Sequence, residues 1–234
     1  MKRNIALFVL VLIMALPAFS QDKKAADEKA ADKGKKEATE KKASEDKKDS
    51  TDQVYKEIPL EDFESSSYGD ANLRYRISGD QKAGAAIRDV FPSPSPKSSK
   101  YLGVKLYGRQ GDYLTVTPPK KIIIKQYCRA ISLWVYGKNF SGELSLMLID
   151  AEGRPHRLIV GKLNFIGWRK MTVQLNDDIA QEDKYLSQKR EIELKSLLYN
   201  PGNTGHLPQW NFFYVDDITA QVREKYTDKQ SDEW

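Results

Sequence analysis

Residues of the types that usually carry out catalysis are few in this chain, and their spacing does not match that of a catalytic or metal-binding site. There are two histidines, His156 and His206, and a single cysteine, Cys128. Neither histidine lies at metal-ligand spacing from the other or from the cysteine. No nucleophile elbow, phosphate-binding loop or dinucleotide fingerprint occurs in the sequence. The sequence therefore predicts a protein that is not an enzyme and that holds no organic cofactor.

Four carboxylates suggest a structural metal site. Asp62 and Glu64 fall in the first predicted strand, and Asp216 and Asp217 fall in the last. First and last strands pair in many carbohydrate-binding jelly rolls, and oxygen ligands at that junction suit Ca²⁺. The alternative is that these residues are solvent-facing charges that discourage edge-to-edge pairing of strands. The sequence therefore raises one metal hypothesis, a Ca²⁺ ion bound by these four residues.

Aromatic residues give a stronger signal than the carboxylates. Trp134 and Tyr136 alternate with aliphatic residues along one predicted strand, and Trp168 and Lys170 do the same along another. A strand period of two puts such residues on the face opposite the aliphatic row. Large aromatic side chains on an outer face suit either stacking on sugars or contact with a protein. The third interpretation is that a further layer, a long loop or a short helix covers them.

The elements that position these residues are predicted to be strands. About ten short segments alternate or are continuously apolar, with Gly- and Pro-containing turns between them. We predict an antiparallel β-sandwich or jelly roll, galactose-binding-like or carbohydrate-binding-module-like, with a twisted barrel as the alternative. At most one or two short helices are expected, one of them within Asp177–Lys189. The loop that begins at Phe91 is predicted to be rigid and extended, because each proline restricts the residue before it.

The ends of the chain are predicted to lie outside the folded domain. Residues 1–20 combine Lys2 and Arg3 with an apolar stretch and small residues, which predicts a signal peptide and an exported protein. Residues 21–53 contain Lys, Ala, Asp and Glu without any aromatic residue, which predicts a disordered tether that is dispensable for folding. Residues 54–222 form the predicted β-sandwich domain, and residues 223–234 a polar tail.

The net charge bears on nucleic-acid binding, and the cysteine content bears on how the domain is stabilised. The formal net charge of +5 is too weak to indicate nucleic-acid binding, and no basic cluster resembles a known nucleic-acid module. One cysteine cannot form an internal disulfide, so the stability of the domain must come from its hydrophobic core. Cys128 itself is interpreted either as a small buried hydrophobe or as the site of an intermolecular disulfide.

The central part of the chain resembles one protein family. The resemblance is carried by a Trp-Val-Tyr-Gly strand end, an Asn-aromatic loop, an aliphatic strand ending in Asp, a Gly turn with a His-Leu strand, a Gly-x-Leu-Asn-Phe-x-Gly-Trp block and a late aromatic strand. In this chain these are Trp134–Gly137, Asn139–Phe140, Asp150, Gly153 with His156 and Leu158, Gly161–Trp168 and Phe212–Asp217. The pattern is similar to that of the spirochaete periplasmic flagellar filament outer layer (sheath) proteins, of the FlaA type.

The resemblance implies a structural role in the periplasm. It implies that the protein coats or contacts the flagellin core of the periplasmic flagellum, affects filament stiffness or curvature, and thereby affects motility. The implied partners are flagellin, other sheath proteins and further copies of the chain, with no nucleic acid and no membrane after signal cleavage. The contact face is predicted to carry Trp134, Tyr136, Trp168 and Lys170. A periplasmic carbohydrate-binding module is the alternative, and a jelly-roll hydrolase ranks below both because no paired carboxylates mark a cleft.

Overall fold

A computed structural model of the chain describes residues 54–78, 83–182, 190–202 and 207–226. Within them the chain forms twelve strands and one short 3-10 helix, Asp70–Asn72. In chain order the strands are β1 (Lys56–Glu61), β2 (Leu73–Arg76), β3 (Gly84–Arg88), β4 (Tyr101–Gly108), β5 (Tyr113–Val116), β6 (Ile122–Ile124), β7 (Tyr127–Lys138), β8 (Glu143–Ile149), β9 (Pro155–Lys162), β10 (Ile166–Gln174), β11 (Ile192–Asn200) and β12 (Gln209–Arg223). The predicted signal peptide, the predicted tether and His206 lie outside the described residues.

The strands form two antiparallel sheets. Sheet A has the order β10-β7-β12-β4-β3, with β1 also paired to β12. Sheet B has the order β2-β5-β11-β8-β9, with β6 also paired to β11. The described residues contain no α-helix, and the part of Asp177–Lys189 that is described, up to residue 182, forms turns and irregular backbone. The fold class predicted from the sequence is confirmed as an all-β sandwich.

The inner faces of both sheets share one hydrophobic cluster. Ile131, Leu133 and Val135 of β7 are fully buried, as the alternation in the sequence predicted. Alternate residues of β8, the leucines 144, 146 and 148, are equally buried and belong to the same cluster. Because strands of both sheets contribute to one core, the sheets are stacked face to face. The remaining side chains of β7 and β10 must therefore point to the outer face of sheet A.

The chain passes from sheet B to sheet A between β9 and β10. In that connection Leu163 and Phe165 are buried, and two backbone hydrogen bonds fix its path. Leu163 N donates to Gly142 O at 2.8 Å, and Asn139 N donates to Phe165 O at 2.8 Å. The connection is therefore tied to the segment between β7 and β8, and this determines where β10 begins and where Trp168 lies.

Candidate partner-binding surface

The four residues predicted to form a contact face are direct neighbours on two adjacent strands. In the register of β10 with β7, Trp168 lies opposite Tyr136, and Lys170 lies opposite Trp134. Lys170 is exposed, whereas the three aromatic residues are half-buried. The Lys170 ammonium also binds Glu57 of β1, with Nζ 3.0 Å from Oε1. The geometry places these residues together on the outer face of sheet A, and their role in partner contact stays a prediction.

The aromatic rings of this face form a connected cluster across four strands. Trp168 meets Tyr136 edge-to-face at 5.5 Å between ring centroids, and Tyr136 meets Tyr214 at 5.6 Å. Tyr101 joins both ends, at 5.4 Å from Trp168 and 5.5 Å from Tyr214. Edge-to-face pairs at these distances stabilise beyond the area that they bury. The cluster is therefore a stiff platform rather than a set of independent surface side chains.

The loop Asp89–Lys100, called here the covering loop, crosses part of this face. The indole Nε1 of Trp168 donates a hydrogen bond to the carbonyl oxygen of Phe91 at 3.1 Å. The hydroxyl of Tyr101 donates to the carbonyl oxygen of Val90. Since β3 and β10 are opposite edges of the sheet order, the loop that follows β3 reaches over the sheet to contact Trp168. Trp168 is thus covered in part by a long loop, which was one of the three interpretations of the sequence.

Three of the four predicted calcium ligands hold this loop. The buried carboxylate of Asp216 accepts a hydrogen bond from Ser98 Oγ at 2.5 Å, and Asp217 Oδ2 accepts one from Ser95 Oγ at 2.5 Å. Glu64 accepts hydrogen bonds from the backbone N–H groups of residues 99 and 100 and from the Ser99 hydroxyl. These contacts link the loop to the last strand and to the segment that follows the first strand. The carboxylates therefore act as acceptors for serine hydroxyls and backbone amides.

The four residues are not brought together as a group of calcium ligands in the described part of the chain. β1 pairs with β12 as expected, but β1 ends at Glu61, so Asp62 and Glu64 lie beyond the strand in which they were predicted. Asp62 Oδ1 accepts the backbone N–H of Glu64 at 3.1 Å. Within residues 54–78, 83–182, 190–202 and 207–226, no group of three or more His, Cys, Asp or Glu side chains is placed to hold a metal ion. Structural calcium stays an untested prediction without geometric support.

The ionisation of two of these carboxylates follows from their surroundings. Burial raises the pKa of Asp216, although hydrogen bonds from Ser98 and Ser93 oppose the rise. The hydrogen bonds from Ser99 and from the Lys100 backbone lower the pKa of Glu64, which is half-buried. Glu64 is therefore held as the anion that the backbone amides require.

The uncovered part of the outer face forms a groove, called here the basic groove. Its volume is about 740 Å³. The cations Arg88, Lys105 and Lys138 line it together with the aromatic side chains Trp210, Phe212 and Tyr214. Lys105 lies over the Trp210 ring at 5.5 Å, and Lys138 lies over the Phe212 ring at 5.3 Å. Its floor contains small residues of β3 and β4, among them Ala86 and Gly103.

This groove was not predicted from the sequence, although the sequence contains one signal of it. Trp210, Phe212 and Tyr214 alternate along the last strand with the buried Asn211, Phe213 and Val215. That alternation predicts an aromatic outer face for β12, as it did for β7 and β10. Nothing in the sequence indicates that Lys105 and Arg88 come to lie beside these rings, because that depends on the pairing of β4 with β12 and β3.

The remaining reactive side chains have structural roles. His156 Nε2 lies 2.8 Å from Asp150 Oδ2, so it belongs to the turn between β8 and β9. Cys128 is fully buried, and the amide of Gln181 brackets its backbone: Cys128 N donates to Gln181 Oε1 at 2.7 Å, and Gln181 Nε2 donates to Cys128 O at 2.8 Å. Burial raises the pKa of the Cys128 thiol to about 12. These features favour the interpretation of Cys128 as a small buried hydrophobe.

We expect the Cys128 thiol of the native protein to resist modification. A buried thiol with a raised pKa presents little thiolate, so a disulfide reagent should react with it at least about 100-fold more slowly than with the unfolded chain. Titration with such a reagent in buffer and in concentrated urea measures both rates on the same sample. Equal rates, or a disulfide-linked dimer on a non-reducing gel, would contradict the burial.

These observations together define a class of protein. An all-β sandwich carries an aromatic and basic outer face, which is the kind of surface that suits contact with a partner. The described part of the chain also has no helix with the length and apolar character to span a membrane.

Comparison with known proteins identifies the family. The family model described as "Flagellar filament outer layer protein Flaa" matches residues 99–229, which is more than half of the chain. The chain therefore belongs to the flagellar filament outer layer protein family, as its resemblance had indicated. A putative flagellar filament outer layer-like protein of Brachyspira hyodysenteriae (strain ATCC 49526 / WA1) is 30% identical over 128 residues. That match covers 53% of this chain and 59% of the relative's length.

Solved structures of carbohydrate-binding modules are also similar. A family 61 module in complex with β-1,4-galactotriose has a TM-score of 0.44 at 16% identity, over 71% of this chain and 99% of that chain. The family 11 module of a Clostridium thermocellum cellulosomal cellulase has a TM-score of 0.43 at 13% identity, over 73% of this chain and 97% of that chain.

Proposed function

We propose that the protein is a structural component of the outer layer of the periplasmic flagellar filament, and that it contacts the filament through the outer face of sheet A. The observation that carries the proposal is the family match over residues 99–229, which span β4 to β12 and therefore include the aromatic cluster and most of the basic groove. Its finer consequences are contact with the flagellin core or other sheath proteins, and an effect on filament stiffness, curvature and motility.

The construction of the outer face supports a mechanical role. A coat subunit must transmit load without deforming, and interlocked aromatic rings with a hydrogen-bonded loop resist deformation better than isolated side chains. Half-buried Trp and Tyr side chains supply large contact area at low entropy cost, which is typical of residues that dominate binding energy. Sheet A presents both features on one surface.

Filament association provides the test of this proposal. Periplasmic filaments purified from cells that express the wild-type protein should contain it, and Trp168→Ala should weaken incorporation by about 30-fold or more, the effect of losing an anchor residue. Tyr75→Ala is the matched control, because Tyr75 is an exposed aromatic residue on sheet B. Tyr75→Ala should melt close to wild type, whereas Trp168→Ala should lose some stability with its ring contacts and its hydrogen bond to Phe91 but stay folded at the temperature of the filament assay.

Two results would contradict the proposal. The first is wild-type protein found only in the soluble periplasm, with normal filaments in its absence. The second is a Trp168→Ala variant that unfolds, because its lost incorporation would then report lost folding rather than a lost contact. Trp134→Ala, measured in the same two ways, tests the neighbouring position of the predicted face.

Carbohydrate binding is the second candidate function, and the basic groove is the observation that favours it. Its volume lies within the range of small-ligand sites, and Trp210 is an exposed ring of the kind on which sugars stack. Binding of glycans or peptidoglycan fragments that Trp210→Ala abolishes, without any filament association, would favour this function.

A further inference from the structure

The most exposed aromatic side chain of the described residues belongs to the covering loop. Phe91 is 83% exposed, and its neighbour Val90 is 60% exposed. Together they form an apolar projection, called here the knob. Phe91 also has a backbone φ of 61°, in the left-handed region that residues other than glycine seldom adopt. A strained residue persists only where its surroundings hold it. Here the strained backbone directs the phenyl ring toward solvent.

The knob is held rigidly despite its exposure. The carbonyl oxygens of both knob residues accept hydrogen bonds, from Tyr101 and from Trp168. Further along the same loop, Ser95 and Ser98 donate to Asp217 and Asp216. The side chains of Val90 and Phe91 take no part in these contacts, so the loop presents them without needing them for its own structure. A projection ordered in advance loses little conformational entropy on binding, which favours insertion into a shaped pocket.

The basic groove on the same outer face has the complementary character. Its aromatic residues Trp210, Phe212 and Tyr214 offer ring surfaces to a phenyl group. Among the described residues that line it, the cations Arg88, Lys105 and Lys138 outnumber the single carboxylate, Asp70. That carboxylate already accepts the backbone N–H of Ala85 at 3.0 Å. The knob is preceded by the exposed acidic residue Asp89. The knob is aromatic and has a negative charge beside it, whereas the groove is aromatic and positively charged. The two surfaces are therefore complementary in charge and alike in aromatic character.

We propose that the knob of one copy of the chain inserts into the basic groove of a second copy. Phe91 would pack against the rings of the groove, and Asp89 would lie near Lys105 and Lys138. Knob and groove are both on the outer face of sheet A, so two copies related by a twofold axis can make the contact twice. The self-contact goes beyond the proposed function, because it adds a second copy of the chain as a partner of the outer face and can be measured without filaments.

Sedimentation equilibrium of the mature chain tests the contact. The wild type should show a reversible monomer–dimer equilibrium. Phe91→Ser, and separately Lys105→Glu with Lys138→Glu, should each weaken the dimer by about 30-fold or more. The matched controls are Ile159→Ser, an exposed aliphatic residue of sheet B, and Lys120→Glu with Lys121→Glu, which makes the same charge change elsewhere. Both controls should dimerise as the wild type does.

Mixing the two defective variants provides the sharper test. The Phe91→Ser protein keeps an intact groove, and the Lys105→Glu, Lys138→Glu protein keeps an intact knob. A mixed dimer therefore retains one of its two contacts, whereas each variant alone retains none. The mixture should dimerise more strongly than either variant alone and more weakly than the wild type.

Several outcomes would overturn this inference. They are a wild type that is monomeric at all concentrations, a dimer that is insensitive to both sets of substitutions, open-ended oligomers instead of dimers, and a mixture that behaves as its separate components. A monomeric wild type that still incorporates into filaments would remove the self-contact and leave the proposed function intact. A dimer that behaves as predicted but never associates with filaments would support the self-contact and contradict the proposed function.

Discussion

Replacement of Asp150 by alanine should destabilise the domain by roughly 3 kcal/mol, because its carboxylate is the acceptor for an entire turn. The side chain is fully buried between β8 and β9. It accepts hydrogen bonds from the backbone N–H groups of Glu152 and Arg154 at 2.9 and 2.8 Å. It also accepts one from Arg154 Nε at 2.9 Å, and His156 Nε2 lies at 2.8 Å. Urea unfolding measures the loss.

A neighbouring carboxylate supplies the control for this substitution. Glu152 pairs with Arg154 at the surface, with 40% of its side chain exposed, so Glu152→Ala should change stability by less than about 1 kcal/mol. If Asp150→Ala changed stability as little as Glu152→Ala, the N–H donors of the turn would form hydrogen bonds with water as readily as with the carboxylate. The turn would then not depend on Asp150.

The same carboxylate should make stability depend on pH. Burial opposes its ionisation, but the hydrogen bonds from His156 and Arg154 outweigh burial and hold the pKa of Asp150 well below its usual range. A carboxyl group whose pKa is lower in the folded state stabilises fully above its unfolded pKa, near 3.9. That contribution is lost as pH falls further. Wild-type stability should therefore decline below about pH 4 more steeply than that of Asp150→Asn.

The geometry of this turn also explains part of the sequence motif by which the family was recognised. The Asp, the Gly and the His of the motif are Asp150, Gly153 and His156, and the structure assigns them to one hairpin. Gly153 adopts a φ of 83°, which a tight turn requires. The His156 nitrogen that faces Asp150 donates a hydrogen bond to it, because a carboxylate only accepts hydrogen bonds. These three residues of the motif therefore build one hairpin.

Local pattern was sufficient to predict the fold class and the faces of individual strands. Alternation placed Ile131 and Leu133 in the core and Trp134 and Tyr136 outside. Two strands were not predicted, β3 and β6, because Gly84–Arg88 begins with small residues and Ile122–Ile124 is only three residues long. Both are recognisable only through their pairing with β4 and β11.

The candidate site was predictable only in part, because its contacts join distant segments of the chain. The sequence predicted a rigid loop after Phe91, but the path of the loop depends on Trp168 and on hydrogen bonds such as that from Ser98 to Asp216, 118 residues away. For the same reason the carboxylates were interpreted as metal ligands. Carboxylates at the junction of two strands can bind a cation or accept hydrogen bonds equally well. The serines that donate hydrogen bonds to them here lie far away in the sequence.

Replacement of Gly137 by alanine should lower stability by about 2–3 kcal/mol, because the connection between β9 and β10 passes directly against it. A Cβ atom at position 137 would lie 2.5 Å from the carbonyl oxygen of Phe165 and 3.1 Å from its ring. Neither can retreat easily, since Phe165 is buried and its carbonyl oxygen already accepts the Asn139 N–H. For a domain of this size the loss corresponds to a fall in melting temperature of roughly 5–10 °C.

Gly69→Ala is the matched control, because a Cβ atom there would meet nothing within 4 Å, and its φ of −159° is ordinary extended backbone. Its melting temperature should stay within about 2 °C of wild type. An unchanged melting temperature for Gly137→Ala would mean that the connection does not lie against β7. The strand end Trp134–Gly137 and the block Gly161–Trp168 would then not meet, and the position of Trp168 opposite Tyr136 would lose its support. Gly137 therefore tests whether the close approach of these two motifs positions the outer aromatic face.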